Sequence, residues 1–144
     1  MTFRMRPFFF QGWFARAVFA IGRDVLSPLD LSQFHLVVSP PTARLHTTVT
    51  RWFAGAGALP QRVSMCNSLS VTMLTILQGA AVGLVPARVM QDDLEQGRVK
   101  LIPVYPEVPA HRVSICYPSS EAGPGIKVLA DLTRELIAEY KLFT

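Results

Sequence analysis

Residues Ile76 to Pro86 read ILQGAAVGLVP. The hydrophobic period changes in the middle of this stretch. Leu69, Met73, Ile76 and Leu77 fall on one apolar helical stripe, Gly79 stops the helix, and VGLVP (82–86) is an unbroken apolar run of strand length. Pro86 suits the opening of another helix through Val89, Met90 and Leu94, which Gly97 closes. Helix, glycine, strand, proline and helix in close succession predict a sheet whose strands are joined by helices.

The same alternation continues on both sides. AVFAIG (17–22) reads as a strand, and SPLDLSQF (27–34) as a turn opened by Ser27 and Pro28 with a short helical turn at Asp30 and Leu31. HLVVSP (35–40) is a buried strand stopped by Pro40 and Pro41. Leu45, Val49, Trp52, Phe53 and Ala56 then place one apolar stripe on a helix from Thr42 to Ala56, ended by Gly57. RVSMC (62–66) is a strand that delivers Asn67 and Ser68, both helix N-cap types, to the helix before Gly79. VKLIPVY (99–105) and HRVSICYP (111–118) read as strands, and a last helix, Gly125 to Tyr140, carries Val128, Leu129, Leu132, Leu136 and Tyr140 on one side. The pattern predicts an α/β fold with a mostly parallel sheet flanked by helices.

Composition narrows the function. The chain has 144 residues, 50% of them hydrophobic and 17% charged, which excludes a disordered or low-complexity protein and fits one packed piece. Its net charge is +4, but four of the basic residues, Arg4, Arg6, Arg16 and Arg23, precede the first acid, Asp24. A nucleic-acid face should be clustered on a folded surface, so the charge says little about DNA. The apolar stretch FFFQGWFARAVFAIG (8–22) is interrupted by Gln11 and Arg16, which argues against a membrane span or secretory leader. Cys66 and Cys116 lie in apolar, strand-like surroundings with no CxxC and no histidine at metal-ligand spacing. They read as buried free thiols in a reducing compartment, with neither a metal nor a cofactor expected.

Catalysis finds little support. GxSxG, GxGxxG, GKS/T and HExxH are all absent, and His35, His46 and His111 each lie apart from any motif. Asp92, Asp93 and Glu95 form a solvated face on one helix rather than a paired-carboxylate site. Trp52 and Phe53 sit on a core-facing stripe, which excludes them as base-stacking platforms. Two loops at strand ends stand out instead, SPPT (39–42) and CNSLS (66–70), where helix N-termini leave amides that favour an anion. Asn67 and Ser68, and likewise Ser39 and Thr42, can either cap their helices or contact a ligand there.

The order of these motifs resembles the second half of the effector-binding domain of LysR-type bacterial transcriptional regulators. The resemblance is carried by the DL turn before an apolar strand (Asp30, Leu31), by Arg51 to Pro60, and above all by Ile76 to Pro86. That last stretch is similar to the family pattern V-x-x-G-x-G-[IV]-[GA]-[LV]-[LV]-P, and Leu94, Gly97, Val99 and Ile102 follow the pattern after it. Ala81 stands where the family has its second glycine. The resemblance implies a type 2 periplasmic-binding-protein-like subdomain, incomplete relative to the full two-subdomain fold, with residues 1–15 unmatched and 16–144 a partial effector-binding domain. It implies effector contacts at Asn67 and Ser68 and, with weaker support, at Ser39 and Thr42.

A non-enzymatic, cytoplasmic sensor of a small anionic metabolite follows from that resemblance. The segment is expected to touch neither DNA nor membrane. It would associate as a homo-oligomer or with an intact regulator, through the helix Thr42 to Ala56. The missing helix-turn-helix and first subdomain imply a fragmentary product, or one completed by association. The alternatives are a stand-alone solute-binding or interfering fragment and, further off, an enzyme with an unrecognised site.

Overall fold

The computed structural model describes residues 8–19, 21, 24–112, 114–117 and 123–140. The chain divides into two compact units, one of residues 11–109 and one of residues 110–144 with the first ten.

The first unit is built on a five-stranded sheet. In chain order it contains β2 (Gln11–Arg16), α1 (Pro28–Leu31), β3 (His35–Val38), α2 (Arg44–Ala54), β4 (Arg62–Met65), α3 (Leu69–Leu77), β5 (Val82–Pro86), a 3-10 turn (Ala87–Met90), α4 (Gln91–Glu95) and β6 (Val99–Ile102). The strand order across the sheet is β4-β3-β5-β2-β6. β3 pairs parallel with both β4 and β5, as strands joined by helical crossovers must. β2 runs against both of its neighbours, β5 and β6, so the sheet is mixed. This strand lies at 11–16 and not at 17–22, where AVFAIG was expected to form it; residues 17 and 18 are a turn, and Ala20 and Gly22 lie outside the described residues.

Alternation along β2 explains how the sheet holds a core on both faces. Trp13 joins Leu36, Val38, Val82, Leu84 and the α2 residues Val49, Trp52 and Phe53 in one apolar cluster. Phe14 points the other way, into a second cluster with Val37, Ile76, Val85, Met90 and Val99. The Trp13 ring lies 5.8 Å from that of Trp52 and 5.9 Å from that of Phe53, separations typical of favourable aromatic pairs. Trp52 also donates its indole N–H to the Pro106 carbonyl at 2.8 Å, which satisfies the polar end of a buried ring. The apolar stripe predicted for α2 is therefore a core face.

Gly79 and Gly97 directly follow the C-caps of α3 and α4 with φ of +73° and +69°, as expected of helix stops, whereas α2 ends at Ala54 and not at Ala56, with Gly55 as its C-cap and Gly57 (φ +63°) in the turn beyond. At Gly79 a Cβ would also lie 3.0 Å from Cδ of Arg16, so both backbone and space call for glycine. Gly83 lets α3 approach the sheet: a Cβ there would stand 2.7 Å from Ile76 Cδ1 and 3.0 Å from Val37 Cγ1. Ala81, at the position where a second glycine was expected, is buried without difficulty. At α1, Ser27 and Asp30 form a reciprocal cap, with the Ser27 amide donating to Asp30 Oδ2 at 2.8 Å and the Asp30 amide to Ser27 Oγ at 3.2 Å.

The second unit contains β1 (Phe8–Phe9), paired antiparallel with β7 (His111–Arg112), and α5 (Pro124–Glu139). The strand expected at 111–118 is thus shorter, with Val113 and Pro118 outside the described residues. Ala130 of α5 is buried, whereas Val128, Leu129, Leu132 and Leu136 are exposed. The thiols differ from expectation. Cys116 is exposed and Cys66 only half-buried, because Cys66 falls just past the end of an edge strand and Cys116 outside any regular element. No helix among the described residues is long and apolar enough to cross a membrane.

Candidate functional site

Two neighbouring parallel strands, β3 and β4, deliver their C-terminal ends to the starts of α2 and α3. The β3–α2 loop is held in place by its own hydrogen bonds. Ser39 accepts at its carbonyl from Nδ1 of His46 at 2.8 Å, a contact that requires the proton on that nitrogen, and the Ala43 amide donates to the Pro40 carbonyl at 2.9 Å. Pro40 and Pro41 lack amide donors and end the ladder. In the β4–α3 loop, the Cys66 amide donates to the Val38 carbonyl at 2.9 Å and the Cys66 thiol to the Ser68 carbonyl at 3.4 Å.

Between these loops lies a cavity of about 320 Å³. That size is within the range of small-molecule sites. Val37, Leu84 and Val85, all buried, give it an apolar floor, and Leu45 and Leu69 add apolar wall. Ser39, Thr42 and Asn67 also line it, so three of the four residues expected to contact a ligand come together here from two separate loops. Thr42 and Asn67 are exposed at its rim and Ser39 is half-buried. Ser68 does not line it. Its hydroxyl accepts from the Val71 amide at 3.3 Å and caps α3, which leaves that side chain occupied.

The two helix starts differ. The N-cap of α2 is Ala43, which has no side chain able to cap, and Thr42 lies one residue too early to do so. Among the described residues the amides of Arg44 and Leu45 have no protein acceptor. An uncapped first turn concentrates the positive end of the helix dipole, and it does so beside the cavity wall formed by Ala43 and Leu45. These amides escaped a reading of side-chain types. So did Thr72, which lines the cavity and is only 7% exposed. Its sequence signal is a threonine four residues before Ile76, on the buried face of the helix.

A larger cavity, of about 540 Å³, lies beside Arg16, Leu74, Leu77, Gln78, Asp93 and Arg98. Its buried carboxylate is already neutralised, with Asp93 Oδ1 lying 2.6 Å from Arg98. Gln78 is the C-cap of α3, so this cavity adjoins the carbonyl end of the helix, which disfavours anions. The smaller cavity is the better candidate. His35 Nε2 and Ser64 Oγ are 2.8 Å apart, but this contact spans two strands at the exposed β4 edge and lines neither cavity.

The sequence matches the family model described as LysR substrate binding domain over residues 13–138. Curated proteins give no match. Among solved structures, the chain superposes on the regulatory domain of MetR, a LysR family regulator from N. meningitidis, with a TM-score of 0.75 at 9% identity, covering 96% of this chain and 65% of that one. The effector binding domain of QuiR in complex with shikimate gives a TM-score of 0.73 at 10% identity, covering 91% of this chain and 62% of that one. The BenM effector binding domain with its effector benzoate gives 0.64 at 18% identity, covering 97% and 65%. The chain thus spans about two thirds of the regulatory domains it resembles. A mixed α/β sheet with paired strand-end loops over an apolar floor, matched along most of its length, makes this chain a member of the LysR substrate-binding domain family.

Proposed function

We propose that this chain is the effector-sensing part of a bacterial LysR-type transcriptional regulator, and that its ligand is a small carboxylate held between the β3–α2 and β4–α3 loops. The observation that carries the reading is the cavity lined by Ser39, Thr42 and Asn67 beside the uncapped first turn of α2. Hydroxyls, an amide side chain and free backbone N–H groups over an apolar floor match an anion with an apolar body. Benzoate and shikimate, bound by two of the structural relatives, are both of that kind. Ser68 supports the site indirectly, by fixing the start of α3.

In this reading the protein works in the cytoplasm, changes no bond in its ligand, and leaves DNA contact to other parts of its regulator. Association with a second copy or with an intact regulator runs through α2.

Thermal shift and titration calorimetry with benzoate and shikimate test the ligand class. Each carboxylate should raise the melting temperature in a concentration-dependent way, because a ligand that binds only the folded state stabilises it. Benzamide, which has the shape of benzoate without its charge, should not. Equal shifts from benzamide and benzoate would remove the anion from the reading.

A further inference from the structure

Threonine hydroxyls within helices have a default partner, the carbonyl four residues earlier. Thr48, Thr75 and Thr133 all use it here, donating to Arg44, Val71 and Leu129 at 3.4, 2.8 and 2.7 Å. Thr72 does not. Its corresponding carbonyl, that of Ser68, already accepts the Thr72 amide at 3.0 Å and the Cys66 thiol at 3.4 Å. Among the described residues the Thr72 hydroxyl has no hydrogen-bond partner, although the residue is only 7% exposed. The hydroxyl is not closed off as the buried and unpartnered Trp13 Nε1 is, so a molecule in the cavity that Thr72 lines can reach it and supply the partner.

The position says what that would be. Thr72 lines the candidate cavity together with Val37, Leu84 and Val85, which are less than 4% exposed, whereas Thr42 and Asn67 lie exposed at its rim. It therefore sets a hydroxyl beside the apolar floor, on a residue far less exposed than the polar groups at the rim. We propose that Thr72 is a specificity-determining residue, selecting a carboxylate that carries a second hydrogen-bonding group, a hydroxyl, on the far side of its apolar body. This rests on the small-carboxylate reading of the site. The carboxylate stays with the loop groups and the α2 amides, and the ligand hydroxyl meets Thr72 Oγ1. Cys66 contributes by occupying the carbonyl that would otherwise take the threonine proton.

The test compares benzoate with 3-hydroxybenzoate and 4-hydroxybenzoate on the full 144-residue chain and its T72V and T72S variants, by calorimetry and thermal shift. Wild type should bind one of the hydroxylated ligands about tenfold more tightly than benzoate, the discrimination expected of one hydrogen bond. T72V should bring that ratio close to one, and T72S should restore it. Unliganded T72V should melt no lower than wild type, because it keeps the shape of the side chain and removes a hydroxyl that has no partner in the protein. A T72V variant that weakens all ligands equally, leaves the preference intact, or melts well below wild type overturns the assignment to Thr72, even with benzoate still bound. No binding by any of the three carboxylates or by shikimate would instead sink the small-carboxylate reading itself.

Discussion

His46 Nδ1 lies 2.8 Å from the carbonyl oxygen of Ser39, so the first turn of α2 holds in place the loop that precedes it. This is a tie between a candidate contact residue and the helix whose uncapped start adjoins the same cavity. Replacing His46 by alanine should cost about 1 kcal/mol of stability, the usual worth of such a bond. Ligand binding should suffer as well, because a loop that is no longer preorganised must be ordered on binding. The expected loss is about tenfold in affinity for the best-binding carboxylate. Calorimetry together with urea unfolding checks both. Unchanged affinity in a destabilised variant would make the tie purely structural.

Asn67 and Ser68 are adjacent in sequence but should separate cleanly on substitution. Ser68 is engaged as the cap of α3, so Ser68→Ala should lower stability by about 1 kcal/mol and leave ligand affinity nearly intact. Asn67 is exposed and lines the cavity. Asn67→Ala should change unliganded stability by less than about 0.5 kcal/mol. Its effect should appear in the ligand-induced thermal shift. Equal ligand shifts for wild type and Asn67→Ala would remove Asn67 from the site.

Where the sequence could be read, punctuation made it legible. Gly79 and Pro86 bound a strand and two helices by purely local chemistry, and Gly79 and Gly97, which end α3 and α4, have the left-handed φ that glycine permits. Residues 8–22 offered no such marks. Gly12, Trp13, Phe14 and Ala15 are all buried because β2 has neighbours on both sides and helices over both faces, so the run is apolar without alternation, and periodicity could not place the strand within it. The site divides in the same way. Ser39, Thr42 and Asn67 were visible as polar side chains at strand ends. The amides of Arg44 and Leu45 carry no side-chain signature, and the freedom of Thr72 depends on a Cys66–Ser68 contact made only after folding.

Gly83 sets the distance between α3 and the sheet. A methyl group there meets Ile76 Cδ1 at 2.7 Å and Val37 Cγ1 at 3.0 Å, both in a core with little room to move. Gly83→Ala should destabilise by roughly 1–3 kcal/mol, the usual cost of overpacking. Ile76→Val alone should cost about 1 kcal/mol, but it removes the Cδ1 atom that clashes. The double variant should therefore be more stable than the sum of the two losses allows, with a coupling of about 1 kcal/mol in a double-mutant cycle. Strict additivity would show that the backbone, and not Ile76, absorbs the strain.

Asp93 and Arg98 form an ion pair whose two ends differ in exposure. The Asp93 side chain retains 10% of its accessible surface and that of Arg98 50%, with 2.6 Å between them. Removing the aspartate charge leaves an arginine that can turn to water. Removing the arginine leaves a carboxylate that cannot. Arg98→Met should therefore cost more than Asp93→Asn, about 1–2 kcal/mol against less than about 1, the half-exposed guanidinium keeping both below the values for a fully buried pair. Because the carboxylate is shielded from bulk ions, 1 M salt should narrow the gap only slightly. Urea unfolding of the two variants at low and high salt checks the order. If Asp93→Asn proved the more damaging, the role of Asp93 would lie in its place in the first turn of α4, where an acid meets the positive end of the helix dipole, and not in its pairing with Arg98.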